Sequence, residues 1–293
     1  MKSPIIIFAY NRPKHLSNLI KSLEKNNLKN FKIFFFCDGP KITEDIYKIN
    51  KIKKIISESK IKFYKKIFRK RNIGLANNII DGVNTVLKYN EQCIVLEDDL
   101  ILNGKTIKFM NDALNKFKKN RSIGSVSAYS YLDDFNLFQK HNVFMTKRHS
   151  SWCWGTWSRV WKKVNWININ YNSHFKNKSS IIKFSEAGKD LNLLLWGQYQ
   201  NLIDSWAIRF NYFCSKNNLL SIQPRHSMII NDGKDFSGTH EKFSFSRKKF
   251  NNFYPKKIDK ILKSQKIDDY IKNNHRRSIK ISIIYFLKNF RIL

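Results

Sequence analysis

Short apolar runs alternate with amphipathic segments along the first 130 residues of the chain. Apolar runs of about four to eight residues bounded by turn residues are typical of buried strands, and apolar positions three and four apart are typical of helices. These patterns predict strands over residues 5–10, 31–37, 63–68, 94–96 and 123–128, with helices over 13–23, 46–59, 75–89 and 107–117 between them. Such alternation predicts an α/β fold with a doubly wound, mostly parallel sheet.

Polar residues follow the first four predicted strands, at the places where doubly wound sheets bind ligands. Buried carboxylates are costly unless they are paired or bind a cation, so an acidic cluster at such a place predicts a metal and phosphate site. The alternative is a solvated loop. In chain order the residues are Asn11, Arg12, Asp38, Arg71 and the triplet Glu97-Asp98-Asp99.

Aromatic residues dominate the second half, where all seven Trp lie between Trp152 and Trp206. The segment 151–157 places three Trp around a Gly, and two interpretations are open. It is either a core plug beneath an irregular loop or an aromatic wall on which a sugar ring stacks. Residues 221–255 have a loop-like pattern, and within them the stretch 233–240 is flanked by Gly and suited to binding phosphate through backbone amides.

The composition adds an extreme charge, because 55 basic residues face only 22 acidic ones, for a net charge of +33. Such a charge indicates an anionic partner, which is nucleic acid, an anionic membrane face or a phosphorylated substrate. The four Cys show no metal-ligand or redox spacing, so we expect reduced core thiols in a cytosolic protein. The apolar run near the N-terminus is too short for a signal peptide or a membrane span.

The C-terminal residues 276–293 alternate basic and apolar side chains. At helical pitch they form a basic amphipathic segment suited to an anionic membrane surface, too short and too charged to span a bilayer. The alternative is a C-terminal helix that docks on the protein itself or on another subunit.

Taken in order, these segments resemble glycosyltransferases of the GT-A fold, family 2 in particular. Residues 4–23 are similar to their first strand, turn and helix, residues 71–76 to the loop before their third helix, and 97–99 to their metal-binding acidic motif. The second half resembles the inverting N-acetylglucosaminyltransferase I family most, although that family usually has Asp-Asp-Trp where this chain has Asp-Ser-Trp. The segments that carry this finer resemblance are 126–129, 152–161, 204–206, 224–226 and 233–240.

The resemblance implies a nucleotide-sugar donor bound together with Mn²⁺ or Mg²⁺. Asp99 would be the direct metal ligand, while Glu97 and Asp98 would reach the ribose and sugar hydroxyls or position Asp99. The implied acceptor or sugar wall consists of Trp152, Trp154 and Trp206. The implied donor-binding residues are Tyr10, Asn11, Arg12, Asp38, Arg71, Glu97, Asp98 and Ser237.

Inversion requires one carboxylate that accepts the proton of the attacking acceptor hydroxyl. By position this catalytic base is Asp204, whose alternative role is to cap the helix predicted over residues 205–213. Glu186 and Asp190 are rival bases from the same half. Further candidates, which would offset phosphate charge or add a metal ligand, are Lys234, Arg225, Arg209, His226 and His240.

We therefore expect one GT-A domain over residues 1–255, with a nucleotide-sugar-binding half (1–130) and an acceptor-side half (131–255), followed by a basic helical tail (256–293). The expected enzyme transfers a hexosyl or N-acetylhexosaminyl group from a nucleotide-sugar, with UDP-sugar favoured, to a glycan or lipid-linked glycan acceptor in surface polysaccharide or lipopolysaccharide synthesis. We expect it in the cytoplasm, peripherally on the inner face of the cell membrane, with no nucleic acid as partner.

Two other classes of protein compete with this expectation. A basic nucleic-acid-binding protein would explain the charge, but three adjacent carboxylates would repel phosphate unless a metal intervened. A metal-dependent nuclease would use such acids, but usually from several strands, and the sequence shows no matching second cluster. A noncatalytic module with the same fold is the third possibility, and intact acids at 97–99 and 204 argue against it.

Overall fold

A computed structural model of the chain describes residues 1–132, 141–233, 254, 255, 258 and 261–275. The strands are β1 Ile5–Ala9, β2 Ile33–Cys37, β3 Lys65–Phe68, β4 Gln92–Glu97, β5 Leu100–Leu102, β6 Ile123–Ser127, β7 Val143–Thr146, β8 Trp154–Trp157, β9 Leu220–Pro224, β10 Ile229–Asn231 and β11 Ile261–Leu262. The helices are α1 Pro13–Leu23, α2 Thr43–Glu58, α3 Leu75–Leu87, α4 Thr106–Phe117, α5 Ser158–Trp161, α6 Tyr171–Phe175, α7 Lys178–Ser185, α8 Leu191–Tyr199, α9 Trp206–Lys216 and α10 Gln265–Asn274.

Nine of the strands in the described ranges form one sheet, in the order β11-β7-β9-β6-β8-β4-β1-β2-β3. Strands β1 to β4 are parallel to their neighbours among themselves, and β6 is parallel to β9. Strand β8 is antiparallel to both β4 and β6, so β4 and β6 run in the same direction. The carboxyl ends of β1, β2, β3, β4, β6 and β9 therefore share one edge, called here the carboxyl edge. The predicted α/β class with a mostly parallel sheet is confirmed.

The central strands are buried on both faces, as their continuous apolar runs predict. Every residue of β1 and β2 is buried, which is the pattern of parallel strands covered by helices on both faces. Strand β3 lies at the end of the sheet and exposes its first two residues, Lys65 and Lys66. Lysine on an edge strand opposes pairing with another chain.

The prediction of a loop over residues 221–255 is wrong for two segments, because Leu220–Pro224 and Ile229–Asn231 are strands. The polar residues Ser221 and Gln223 gave β9 a loop-like sequence, but both side chains are fully buried and hydrogen-bonded in the structure. The amide of Gln223 donates to the carbonyl of Arg148 at 3.1 Å, and Ser221 Oγ lies 3.0 Å from Ser125 Oγ. Buried polar groups with such partners carry little penalty, so polarity does not exclude a strand here.

Two smaller apolar clusters lie beside the main core. One joins helices α7, α8 and α9 through Phe184, Leu195 and Ile208. In the other, Ile267 and Ile271 of α10 pack against Leu132 and Phe144. No helix in the part of the chain that the structure describes is both long and apolar enough to span a bilayer.

Candidate functional site

The acidic triplet stands at the carboxyl edge, where β4 ends. Glu97 is the last residue of β4, and Asp98 and Asp99 form the turn into β5. The side chains of Asp98 and Asp99 are only 10% and 20% exposed. Arg12, just before α1, lies with its Nη1 3.2 Å from Asp99 Oδ2 and 3.8 Å from Asp98 Oδ1. One guanidinium therefore faces two of the three carboxylates.

The charge of the triplet is not fully balanced by Arg12. Burial and, to a smaller extent, the charge of Asp99 raise the pKa of Asp98 to about 7, against the opposing effect of Arg12. Burial and the charges of Asp99 and Asp98 also raise the pKa of Glu97 well above its ordinary value. Raised values of this kind mark carboxylates that a bound cation would stabilise in their charged form.

The end of β10 lies against the triplet. Strand β10 pairs antiparallel with β5, and the backbone N–H of Asp232 donates to the carbonyl of Asp99 at 2.7 Å. His15 Nε2 and Asn18 Nδ2 of α1 lie 3.2 Å and 3.0 Å from the carbonyl and carboxylate of Asp232.

Gly233 follows directly and touches the site with its backbone. A Cβ at this position would lie 2.5 Å from Asp99 Oδ2 and 2.8 Å from Arg12 Nη2, so a side chain here would force Asp99 or Arg12 to move. The predicted phosphate-binding loop 233–240 thus begins against the metal-ligand candidate. The rest of that loop, with Lys234, Ser237 and His240, lies outside the described residues.

Asp38, at the end of β2, binds the loop that follows β3. Its buried carboxylate accepts the backbone N–H groups of Gly39, Ile73 and Gly74 at 2.9, 3.0 and 3.1 Å. Arg71 lies in the same loop with an exposed side chain, and its backbone presses against Gly39. The predicted donor residues Asp38 and Arg71 are therefore brought together, and the oxygens of Asp38 already bind loop amides.

Asp45, in the first turn of α2, is a buried residue of this edge that the sequence interpretation missed. Its carboxylate accepts hydrogen bonds from the hydroxyl of Tyr10 and from Asn11 Nδ2, the latter at 2.7 Å. Burial alone would raise the pKa of Asp45, but these hydrogen bonds and those from the loop backbone hold it well below its ordinary value. A sequence signal was present, because Asp45 stands at the start of an otherwise Lys-rich helix, where acids are favoured.

The Trp cluster is mostly core, which corrects part of the predicted sugar wall. Trp154 and Trp206 are 1% and 4% exposed and stack with ring centroids 4.5 Å apart, and Trp161 stacks on Trp154. Both rings are buried in the core, and neither Trp154 nor Trp206 offers a ring face to a sugar. Trp152 is half-buried and packs edge-on against Tyr129, with ring centroids 4.6 Å apart. Of the three predicted wall residues, Trp152 is thus the one whose ring is partly exposed.

Asp204 lies just before α9 and does not cap it. Ser205 is the cap, since its Oγ accepts the backbone N–H of Ile208 at 3.4 Å. The Asp204 side chain is 55% exposed, and its Oδ1 lies 2.6 Å from Arg209 Nη2. The alternative role of Asp204 as helix cap is therefore wrong.

The start of α9 lies beside the strand that carries the triplet. Trp206, two residues after Asp204, stacks on Trp154, which is paired with Val95 in the sheet register. Val95 precedes Glu97 by two positions in β4. These contacts place the start of α9 on the face of the sheet beside β8 and β4.

The rival bases are held in ion pairs. Arg148 binds Asp190 through two hydrogen bonds of 2.8 and 2.9 Å, and both side chains are 11% exposed. Burial would raise the pKa of Asp190, but Arg148 brings it below its ordinary value, which disfavours proton uptake. Glu186 pairs with Lys147 at 2.7 Å on a more open surface.

Two further candidates from the sequence are Arg209, for offsetting phosphate charge, and His226, as an added metal ligand. Arg209 also donates to the carbonyl of Trp166 at 2.8 Å, so it fixes loop structure as well as Asp204. Among the residues that the structure describes, no three His, Cys, Asp or Glu side chains come together as a metal-binding group, so His226 does not complete one.

Comparison with known proteins identifies the family of the chain. Residues 5–185 match the family model "Glycosyl transferase family 2". No curated protein matches the sequence. Because the matched region covers more than half of the chain, the protein belongs to glycosyl transferase family 2.

Solved structures show similarity at low sequence identity. TarS of S. aureus (residues 1–349) is 15% identical, with 62% of this chain and 56% of that chain covered and a TM-score of 0.39. The same protein in complex with UDP-GlcNAc is 17% identical over 55% and 47%, with a TM-score of 0.37. Mannosyltransferase PcManGT from Pyrobaculum calidifontis, in complex with GDP-Man and Mn²⁺, is 11% identical over 43% and 34%, with a TM-score of 0.31. This chain thus spans about a third to just over half of the length of these proteins.

Proposed function

We propose that the chain is an inverting, metal-dependent glycosyltransferase that moves a hexosyl or N-acetylhexosaminyl group from a nucleotide-sugar, with UDP-sugar preferred, to a hydroxyl of a glycan or lipid-linked glycan. The observation that carries this proposal is the under-compensated carboxylate cluster at the carboxyl edge, with Arg12 and Gly233 packed against Asp99. In a family 2 glycosyltransferase, a cleft of this chemistry suits a diphosphate and a hard cation together.

The residues present fit Mn²⁺ or Mg²⁺ as a cofactor shared with the donor. The oxygens of Asp99 are the kind of ligand that hard cations prefer, and such cations use few protein ligands when a substrate phosphate supplies the others. Asp99 would hold the ion, with Glu97 and Asp98 directed to donor hydroxyls or to Asp99 itself. When bound, the ion would offset the charge of the departing nucleoside diphosphate.

The protein groups around the cluster have separable roles in donor binding. Arg12 would bring a fixed positive charge to the diphosphate, since it already faces Asp98 and Asp99 at 3.8 and 3.2 Å. Tyr10, Asn11, Asp38 and Arg71, in the loops after β1, β2 and β3, would surround the nucleoside. Ser237 would bind phosphate from the loop that starts at Gly233.

Asp204 would take the proton of the acceptor hydroxyl. Its carboxylate is exposed to an incoming acceptor and is oriented by Arg209, whose guanidinium is in turn bound to the carbonyl of Trp166. A base needs access to its substrate and a defined orientation, and the exposed carboxylate of Asp204 with its Arg209 contact supports this role. Trp152 would contact the acceptor sugar.

We further propose that the enzyme serves surface polysaccharide or lipopolysaccharide synthesis, peripherally on the inner face of the cell membrane. The basic tail 276–293, which lies outside the described residues, would supply the attraction to anionic lipid. The resemblance to the inverting N-acetylglucosaminyltransferase I family stays a prediction, as do the domain limits at 255 and 256.

A panel of nucleotide sugars tests the function directly. Release of nucleoside diphosphate, or thermal stabilisation, would be measured with UDP-, GDP- and other nucleotide sugars, with Mn²⁺, with Mg²⁺ and with excess chelator. We expect one or a few donors to act, only with metal, and Asp99→Ala to lose this activity while it stays folded. Asp112→Asn, on α4 and outside the carboxyl edge, is the matched control and should act like the wild type. Full activity in chelator, or stabilisation by oligonucleotides and by no nucleotide sugar, contradicts the proposal.

A further inference from the structure

Asp45 connects two loops of the carboxyl edge that are distant in sequence. From the loop after β1 it accepts the hydroxyl of Tyr10 and the amide of Asn11, 35 and 34 positions away. From the loop after β2 it accepts the backbone N–H groups of Lys41 and Ile42 at 3.0 and 3.1 Å. Both oxygens of one carboxylate are thus used within a residue that is 1% exposed.

The contacts with Tyr10 and Asn11 are more than a helix cap requires. The bonds from Lys41 and Ile42 close the first turn of α2, and they would form without any residue of the β1 loop. The Tyr10 hydroxyl is a weak acid whose pKa is raised, first by burial and then by Asp45, so it remains protonated and donates. A charged acceptor strengthens such a hydrogen bond, and this fixes the direction of the ring.

A second carboxylate, that of Asp38, also connects two loops of the carboxyl edge. Asp38 joins the β2 loop to Ile73 and Gly74 in the loop after β3, and Asn72 Nδ2 returns to the carbonyl of Gly39 at 3.0 Å. Asp45 therefore connects the loop after β1 to the loop after β2, and Asp38 connects the loop after β2 to the loop after β3. The Asp45 connection is made with the side chains of Tyr10 and Asn11.

We propose that Asp45 is a positioning residue of the donor site, which holds Tyr10 and Asn11 in the orientation that contacts the nucleotide sugar. This inference rests on the proposed function, in which Tyr10 and Asn11 bind the donor. Asp45 acts through these two side chains and is itself too deeply buried to touch substrate.

A double-mutant cycle tests the proposal in the full chain. Binding of UDP-N-acetylglucosamine and of GDP-mannose, each with Mn²⁺, would be measured by calorimetry for the wild type, Asp45→Asn, Tyr10→Phe and the double variant. Asp45→Asn keeps the shape but removes the charge, whereas Tyr10→Phe removes only the hydroxyl and leaves α2 intact. Asp112→Asn is the control, because it removes the charge from a different carboxylate that accepts a Tyr hydroxyl, that of Tyr254 at 3.1 Å.

We expect each single change to weaken donor binding, by about tenfold for Asp45→Asn, and the double variant to bind no more weakly than Asp45→Asn alone. The KM for the donor should rise by the same factor with kcat within about twofold, and the control should bind like the wild type. Unchanged affinity in both single variants, or fully additive losses, overturns the role of Asp45. If Asp45→Asn does not fold, Tyr10→Phe decides, and unchanged affinity in it overturns the proposal.

Failure of the proposed function has a different signature. A wild type that binds no nucleotide sugar removes the donor site altogether and with it the role of Asp45. A wild type that binds a donor, together with variants that bind equally well, removes only the role of Asp45.

Discussion

At the scale of single residues, two acidic features of the carboxyl edge differ in how visible they are in the sequence. The triplet at 97–99 is recognisable because three carboxylates interrupt an apolar run. Asp45 is not, because its importance depends on Tyr10 and Asn11, which reach it only after β1 and β2 have paired. A local pattern reveals a cluster of like residues, whereas a role that depends on long-range contacts needs the fold.

Gly233 offers a test of the site that removes no charged group. An added methyl group would overlap Asp99 Oδ2 and Arg12 Nη2, so the carboxylate or the guanidinium must move. We expect Gly233→Ala to lower donor binding and transfer by about tenfold, in keeping with the roughly 1–3 kcal/mol that overpacking costs. Activity and calorimetry with the identified donor would measure this.

Gly104→Ala is the matched control for that change. A Cβ at Gly104 would meet only the carbonyl of Lys25, at 3.4 Å, so transfer should stay at the wild-type level. Equal activity of Gly233→Ala and Gly104→Ala would show that the backbone at 233 does not constrain Asp99.

Asp204 can be separated from its rivals by one pair of variants. We expect Asp204→Asn to keep donor binding but to lower transfer at least ~100-fold, the scale of losing a general base. Glu186→Gln, which also removes one carboxylate from an ion pair on the acceptor side, should retain transfer. Steady-state rates at saturating donor would check both. A large loss of transfer in Glu186→Gln with little change in Asp204→Asn would instead identify Glu186 as the catalytic base.

At the scale of elements, strands that carry apolar runs were predictable, whereas β9 and β10 were not recognised. Strands β1, β2 and β4 follow their apolar runs closely. Strand β9 was missed because Ser221 and Gln223 are buried polar residues whose partners belong to distant segments. Strand β10 was missed because its three residues gain their place only by pairing with β5.

His149 is a neutral core residue that contacts β6, α9 and the turn between α9 and β9. Its Nδ1 accepts from Ser125 Oγ of β6 at 2.7 Å, and its Nε2 donates to the carbonyl of Leu219 at 3.1 Å. Asn211 of α9 exchanges hydrogen bonds with its backbone at 3.0 and 3.1 Å. Burial lowers the pKa of His149 to about 4, because protonation would place a charge among uncharged neighbours.

The pH dependence of stability follows from this lowered pKa. In the unfolded chain a histidine binds a proton near pH 6.5, so between about pH 6.5 and 4 the unfolded state binds more protons at this site. The stability due to neutral His149 is therefore complete above about pH 6.5 and is lost as the pH falls toward 4, by up to about 3 kcal/mol.

The raised pKa values of Glu97 and Asp98 act in the opposite sense over much of the same range, so the contribution of His149 must be isolated. We expect the difference in unfolding free energy between the wild type and His149→Gln to shrink as the pH is lowered from 7.5 to 4.5. Denaturant titrations at several pH values would measure it, and a difference that is constant with pH would contradict a neutral, buried His149.

At the scale of the whole molecule, the charge of +33 and the acidic site are compatible because they are separated in space. The acids of the triplet are gathered at one edge, while Lys is spread over helices such as α2, which exposes Lys48, Lys51 and Lys54. A surface of this kind attracts anionic donors and anionic membranes alike. The charge alone suggests nucleic acid as readily as a lipid surface, so it does not by itself identify the anionic partner.

The last prediction concerns the tail, residues 276–293. Helix α10 ends at Asn274 and is anchored by Ile267 and Ile271, and the backbone N–H of Asp190 donates to the carbonyl of His275 at 3.0 Å. A chain that ends at His275 keeps these contacts and should fold. We expect this truncation to reduce binding to vesicles that contain phosphatidylglycerol, and not to change turnover on a soluble acceptor.

Vesicle co-sedimentation at low and high salt would measure this binding, with phosphatidylcholine vesicles as the control for charge. A second variant, with Arg276, Arg277, Lys280, Lys288 and Arg291 changed to Gln, keeps the apolar side chains of the tail. It should bind as weakly as the truncated chain, because each basic residue near an anionic leaflet contributes about 1 kcal/mol. If the truncated chain binds these vesicles as well as the full chain does, the basic surface of the folded part holds the membrane and the tail does not anchor it. If the truncated chain unfolds, the tail is a structural helix, and its Ile, Phe and Leu side chains pack on the protein.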